Sequence, residues 1–338
     1  MNRENVSVIT PEICEKWQRV LETFPEANFL QSPKYGKMNE LIGAKVIIEE
    51  FKGTGWALMI VRDAKRGRYL EIPCGPLCNY RDEKLVKEVI ERIGQIARQE
   101  KCVFVRMRPQ IRATSENLAL LRRLGLKQAP MHLAAENTVI LDLTRSLEEL
   151  LADMRRQTRY EVRRSAKMGI TVSKGRAEKD FREFHEVQVE TAKRQDFVPP
   201  SFKVLLAEKE AFLDDIWIYK AETENKKPVA YGLIIRGGKE GDYYEAASSE
   251  LNRKLPGAYA LLWQAIQDLK AEGYERFNLW GIAPAGQPHH RYAGVTTFKT
   301  GFGGEIVEFV PAHDLVISKM KYMKDLLVET ARKKRRHL

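Results

Sequence analysis

The chain is poor in the residues from which disulfide scaffolds and metal sites are built. Four cysteines, Cys14, Cys74, Cys78 and Cys102, fall at irregular spacing among 338 residues, too few and too scattered for a disulfide framework. Cys74 and Cys78 stand in PCGPLC with no second cysteine pair and no nearby histidine. The ligand set of a tetrahedral zinc is therefore incomplete, and small buried thiols are expected there. His289 and His290 are adjacent, and neighbours on a regular element cannot both face one site, so a loop pair is expected and no metal. No run of eighteen uncharged apolar residues occurs, and MNRENVSVITPEICEKW lacks the apolar core of a secretory leader. No membrane span is expected, and the expected location is cytoplasmic. Walker, GxGxxG, HExxH and GxSxG motifs are all missing, which argues against nucleotide hydrolysis, dinucleotide binding, zincin chemistry and serine-hydrolase chemistry.

What is present is length, apolar content and positive charge. With 338 residues, 43% of them hydrophobic, two cores are expected rather than one. The formal charge of +11 points to an anionic partner: nucleic acid, a phosphorylated substrate or an anionic membrane surface.

Along the chain, helical and extended patterns mix. Pro11 to Leu21 carries apolar residues at helical spacing behind an N-terminal proline. In NFLQSPKYGK, Phe29-Leu30 read as a strand end, Ser32 as an N-cap and Pro33 as the first helical residue, so Lys37 projects near the start of a helix. Such a cation is mispaired with the helix dipole, and is either simply solvated or held for an anionic ligand. Ala44 to Phe51, Gly55 to Arg62 and Tyr69 to Pro73 read as strands, Lys84 to Gln99 as an amphipathic helix, and Cys102 to Met107 as a further strand. After the strand TVILDL, Thr144 to Gly169 reads as one helix opened by a capping box, Ser146 with Glu149. Its second half places Arg156, Arg159 and Arg163 on adjoining turns, where like charges repel unless an anion bridges them; a solvated face and an RNA or phosphate contact are the two readings. Ile317 to Leu338 reads as a closing helix with Met320, Met323, Leu326 and Leu327 on one side, ending in ARKKRRHL. That basic tail reads chiefly as a solvated end, with anionic membrane or RNA contact as the minor reading.

The stretch from Gly257 to Gly304 concentrates the chemistry. It reads as an amphipathic helix, a strand ending at Trp280-Gly281, a Gly/Pro/His loop, and a strand-turn carrying Phe298-Lys299 before Gly301, Gly303 and Gly304. Those glycines either let backbone approach a ligand or simply make the turn. Lys84 to Met107 matches Tyr259 to Trp280 in pattern, which suggests an internal duplication.

Three segments carry a resemblance: LLADMRRQTRYEVRRSAKMGITV, the run from YYEAASSELNRKLPGAYALL to NLWGIAP, and TTFKTGFGGEIVEFV. They resemble the peptidoglycan bridge-forming FemABX aminoacyltransferases, from Gln31 to about Tyr322. The resemblance implies an α/β fold of two GNAT-like domains with mixed sheets, the first over 1–145 and the second over 146–312, and with a C-terminal helix over 313–338 packing back on the first. It implies a short member without the coiled-coil arm. It implies transfer of an amino acid from aminoacyl-tRNA to a stem-peptide amine of a peptidoglycan precursor, UDP-MurNAc-pentapeptide or lipid II, forming an interpeptide bridge with no cofactor. A monomer is expected, and the positive charge adds peripheral contact with an anionic membrane to the expected partners.

Residue by residue, Lys299 matches the family's C-terminal lysine, which would stabilise developing negative charge or the tRNA end, with Phe298 beside it. Lys37 matches a lysine that would pair with the precursor's diphosphate, and Arg194 a second diphosphate-binding cation. Tyr259 falls near a site tyrosine, and Trp280 and Arg108 complete the expected substrate contacts. One departure stands out: where some members carry a carboxylate before the proline ending a first-domain strand, this chain has Arg108-Pro109. Arginine takes no proton at ordinary pH, which leaves the base unassigned. The rivals are an acyl-CoA-dependent N-acyltransferase, against which stands the missing Q/RxxGxG/A pyrophosphate loop, and a non-catalytic RNA- or membrane-binding protein.

Overall fold

The computed structural model describes residues 8–51, 55–65, 67–195, 197–287 and 290–336; the His289 of the expected histidine pair and the last two residues of the basic tail lie outside them. The chain divides into two compact units, one formed by residues up to Glu136 and from Glu308 onward, the other by Asn137–Val307. Among the described residues no helix is long and apolar enough to cross a membrane.

The first unit begins with α1 (Pro11–Thr23), whose N-cap Thr10 accepts from the amide of Ile13, and α2 (Pro33–Leu41), capped by Ser32. Between them Phe29–Gln31 makes a 3-10 turn in place of the expected strand end, because the Asn28 side chain accepts from the Leu30 amide and caps it. The strands follow as β1 (Lys45–Glu50), β2 (Gly55–Ala64), β3 (Gly67–Pro73) and β4 (Leu77–Cys78), then α3 (Glu83–Gln99), β5 (Phe104–Arg108), α4 (Ser115–Arg123) and β6 (Lys127–Gln128). The apolar stripe of α3 buries Val86, Val89, Ile90, Ile93 and Ile96 against the sheet, each such side chain contributing about 1.5–3 kcal/mol. Cys74, Cys78 and Cys102 are buried and outside any disulfide, and Cys14 is exposed.

The second unit runs β7 (Asn137–Asp142), α5 (Leu147–Asp153), α6 (Arg156–Lys167), β8 (Thr171–Gly175), α7 (Glu178–Gln195), α8 (Phe202–Phe212), β9 (Ile216–Glu222), β10 (Pro228–Gly237), β11 (Glu240–Ser248), α9 (Gly257–Ala271), β12 (Arg276–Gly281), α10 (Ala293–Thr300) and β13 (Glu305–Glu308). The chain then returns to the first unit as β14 (His313–Val316) and α11 (Lys319–Arg336).

The sheets have the orders β1-β2-β3-β5-β14-β6, with β4 on β2, and β13-β7-β12-β11-β10-β9-β8. In each, a parallel pair joined through a long helix forms the centre: β3 and β5 through α3, β11 and β12 through α9. In each, the strand beside that pair, antiparallel to it, comes from a distant part of the chain: β14 on β5, and β7 on β12. The duplicated rhythm of the sequence is thus a duplicated topology.

Four expectations are corrected. The boundary lies ahead of β7 rather than after residue 145, because β7 pairs with β12 and so belongs to the second sheet; the return to the first unit likewise starts at Glu308, earlier than residue 313. The single helix over Thr144–Gly169 is two helices. Met154 and Arg155 are extended there (ψ 145° and 143°), and the Arg155 amide donates to the carbonyl of Gly301 (2.8 Å) instead of continuing the helical ladder. Phe298-Lys299 lie in the helix α10, not in a strand. The run of threonines is accommodated because Thr296, Thr297 and Thr300 each donate their hydroxyl to the carbonyl four residues back. Lastly, α11 turns Tyr322 and Leu326 inward and leaves Met320, Met323 and Leu327 exposed, so the expected apolar side is split between two faces.

Candidate active site

The second sheet opens at its centre. β11 and β12 pair only from Glu240–Asp242 to Arg276–Asn278. Beyond that level both strands leave their regular course. On β11, Leu233 of β10 pairs with Glu245 and Ile234 with Tyr243, so Tyr244 is an extra, bulged residue. On β12, Asn278 pairs with Ile140 but Gly281 with Thr138, and Trp280 adopts φ 63°, a left-handed conformation that is strained for a bulky side chain. The Asn278 carboxamide oxygen holds this turn by accepting from the Trp280 amide (2.9 Å) and the Thr138 hydroxyl (2.5 Å). The Trp280 and Tyr244 rings meet edge-to-face at 5.3 Å across the parted strands.

Lys299 enters at this level from the last turn of α10. Its side chain is buried, with Nζ donating to the Gly281 carbonyl at 2.9 Å and lying 5.8 Å from the Tyr243 ring centre. Burial lowers its pKa to about 7, so both the ammonium and the amine are populated near neutral pH. The loop leading to α10 is tied down where the Ala283 amide donates to the Thr296 hydroxyl (2.8 Å). Phe298 stacks edge-on against Tyr259 of α9 (5.0 Å) and against Phe302 (5.4 Å), which fixes the face that α10 presents. The glycines behind Lys299 serve packing and turning. A side chain at Gly301 would collide with Thr158 of α6, and Gly304, at φ 82°, runs against the backbone of β7 while its amide donates to Asp153.

The remaining expected residues are distributed as follows. Lys37 sits half-buried in the second turn of α2, in the first unit. Arg108, also in the first unit, is fully buried: it donates to Gln110 (2.7 Å) and to the Cys74 sulfur (2.5 Å) and lies over the Phe309 ring. Arg108 is thus enclosed in the interior of the first unit. Arg194 donates to Ser248 at the end of β11 and pairs with Glu250 (3.2 Å). Arg159 donates to the carbonyls of Ala152 (2.6 Å) and Met154 and so caps the end of α5. Arg156 and Arg163 are exposed. The structure thus gathers Lys299, Phe298, Tyr259 and Trp280 in the second unit, and holds Lys37 and Arg108 in the first.

Sequence reading passed over two neighbouring acids in the second unit, one buried and one half-buried. Glu208 of α8 is 2% exposed, and burial, then the charge of Glu245, hold its carboxyl well above the usual range. Glu245, beside the bulge on β11, is pushed up to about 7 by burial, against a hydrogen bond from Gln188 (2.6 Å). One signal was available: Glu245 is the lone charge in the strand run YYEAAS.

A model of the FemAB family matches residues 14–120, 124–202 and 206–330. The chain belongs to the FemAB family. Among individual relatives, "Aminoacyltransferase FemA" of Staphylococcus epidermidis is 31% identical over 103 residues, which span 30% of this chain and 25% of that protein; the match thus reaches about a quarter of the relative's length. Among solved structures, FemX covers 89% of this chain and 94% of its own at TM-score 0.77 and 16% identity. A tandem GNAT protein from the clavulanic acid biosynthesis pathway covers 90% and 95% at TM-score 0.57 and 10% identity. The FemAB chain described here therefore has the tandem GNAT-like fold, with the C-terminal helix returned to the first unit.

Proposed function

We propose that this protein transfers an amino acid from aminoacyl-tRNA to a stem-peptide amine of a peptidoglycan precursor, either UDP-linked or lipid-linked. The observation that carries the reading is Lys299, a buried lysine near pKa 7 where two central strands part, in a chain of the FemAB family. The reaction is aminolysis of an ester. The amine nitrogen attacks the carbonyl carbon, negative charge collects on the carbonyl oxygen, and the carbon–oxygen bond to the tRNA ribose breaks. One proton leaves the attacking nitrogen and one is taken by the ribose oxygen, so the step balances without a cofactor. In this reading the Lys299 ammonium stabilises the oxyanion or protonates the leaving oxygen, and its neutral form can receive the proton the amine gives up. Phe298 and Tyr259 keep the lysine's helix in register. Lys37 is a cation for the precursor's diphosphate, and Arg156 and Arg163 contact the tRNA backbone. A charged tRNA and a cell-wall precursor fit a cytoplasmic reaction.

The test is direct: the protein is incubated with tRNA charged with labelled amino acid and with each of the two precursors. Label recovered in the stem peptide as an amide supports the reading. Transfer from acetyl-CoA with none from charged tRNA overturns it.

A further inference from the structure

Helix α11 is amphipathic twice over. One face is committed to the first unit. Tyr322 is buried, meets Phe104 edge-on at 5.5 Å and donates its hydroxyl to Asp314 (3.0 Å). Leu326 packs in the same cluster, and Glu329 pairs with Arg106 at 2.8 Å. These positions follow helical steps of three and four residues. The opposite face repeats the spacing with exposed apolar residues: Met320 is 85% exposed, Met323 51% and Leu327 68%. Lys321, Lys324 and Arg332 are exposed along one border of that ridge and Lys319 along the other. The two acids of the segment, Asp325 and Glu329, are on the inward side. The outward face therefore combines an apolar ridge and flanking cations with no carboxylate among its described side chains.

We propose that α11 lies flat on an anionic lipid surface, with Met320, Met323 and Leu327 among the upper acyl chains and the lysines at phosphate level. The charge fits such a surface, and so does the ridge: long cationic side chains can reach the headgroups while the apolar side chains between them are buried. A nucleic-acid backbone would satisfy the lysines but leave the methionines and the leucine in water. The proposal is independent of the transfer chemistry, so either can fail without the other.

The test is vesicle flotation of the full chain with phosphatidylcholine alone and with phosphatidylcholine plus phosphatidylglycerol. Binding is expected only to the anionic vesicles and should weaken as salt is raised. The triple change Met320→Ser, Met323→Ser, Leu327→Ser should lower it by about tenfold or more with an unchanged circular-dichroism melt. Changing Lys321, Lys324 and Arg332 to Gln should also reduce it by about tenfold or more. No binding to anionic vesicles, or full binding by the triple serine variant, overturns the proposal. A concentration-dependent dimer that the serine variant abolishes, without vesicle binding, assigns the ridge to a second copy of the chain and equally overturns it. So does a loss of tRNA affinity as the only effect of the serine changes.

Discussion

The Lys299 ammonium nitrogen lies 2.9 Å from the carbonyl oxygen of Gly281, one residue after a tryptophan held at φ 63°. A long, costly burial of a lysine is thus tied to the strained end of a central strand, and the two features locate each other. The lysine's pKa is lowered from 10.5 to about 7 because burial disfavours its charge. The unfolded chain binds that proton up to the ordinary lysine range, whereas the folded chain releases it near 7. The site's unfavourable contribution is therefore complete below pH 7 and fades as pH rises toward 10.5. Lys299→Met should be more stable than the parent by about 1–3 kcal/mol at pH 6, after the loss of the hydrogen bond to Gly281 is counted, and this gain should vanish by about pH 10.5. Urea titrations at the two pH values check it; an unstabilised variant at pH 6 contradicts the burial argument. The same variant should lose about 10²-fold or more of transfer activity.

Glu208 and Glu245 reverse the sign. Both carboxyls are raised above the ordinary value of 4.5, Glu245 to about 7, chiefly by burial. The folded chain keeps protons that the unfolded chain has lost, so stability falls as pH climbs from about 4.5 through 7. Glu208→Gln should stabilise the protein by about 1–3 kcal/mol at pH 8 and by little at pH 4. Thermal melts at both pH values test this, and an equal shift at the two would show that ionisation of the Glu208 carboxyl is not the cause.

Arg159 separates from its neighbours. Arg159→Ala removes donors from two carbonyls at the end of α5 and should destabilise by about 1–2 kcal/mol in urea unfolding. Arg156→Gln with Arg163→Gln, both exposed, should leave stability within about 0.5 kcal/mol. That double change should weaken aminoacyl-tRNA binding and reduce the slope of log affinity against log salt by roughly 1–2. A salt slope equal to the parent's would remove both arginines from the RNA contact.

Lys37→Ala should raise the KM for the cell-wall precursor by an amount corresponding to about 1–3 kcal/mol, the scale of a lost charged hydrogen bond, with kcat little changed. Steady-state kinetics with the precursor varied decides it. A changed kcat at constant KM would assign Lys37 to the chemistry instead.

The elements that were legible in the sequence are those whose causes are local. The α3 stripe, the Ser32 cap and the Ser146–Glu149 capping box each depend on residues within a few positions of one another. The break at Met154-Arg155 was not legible because its cause, the Gly301 carbonyl, is far along the chain. Phe298-Lys299 read as extended because threonines favour strands; the bonds from their hydroxyls to carbonyls four residues back act only once the helix exists. Lys299 could be chosen from the sequence as a residue, but not its shift toward neutrality, which comes from the enclosure around it. Glu208, Gln188 and Glu245 stand on three separate elements, and only the fold makes them neighbours.

The return of the chain to its first sheet has a consequence for synthesis. β14 lies between β5 and β6, so an interior strand of the first unit is translated after all of Asn137–Val307. The usual order, in which the N-terminal domain finishes first on the ribosome, is therefore inverted. The second unit can close while the first waits with one edge of β5 unpaired, and the Arg106–Asp314 contact that joins β5 to β14 can form only among the last events of folding.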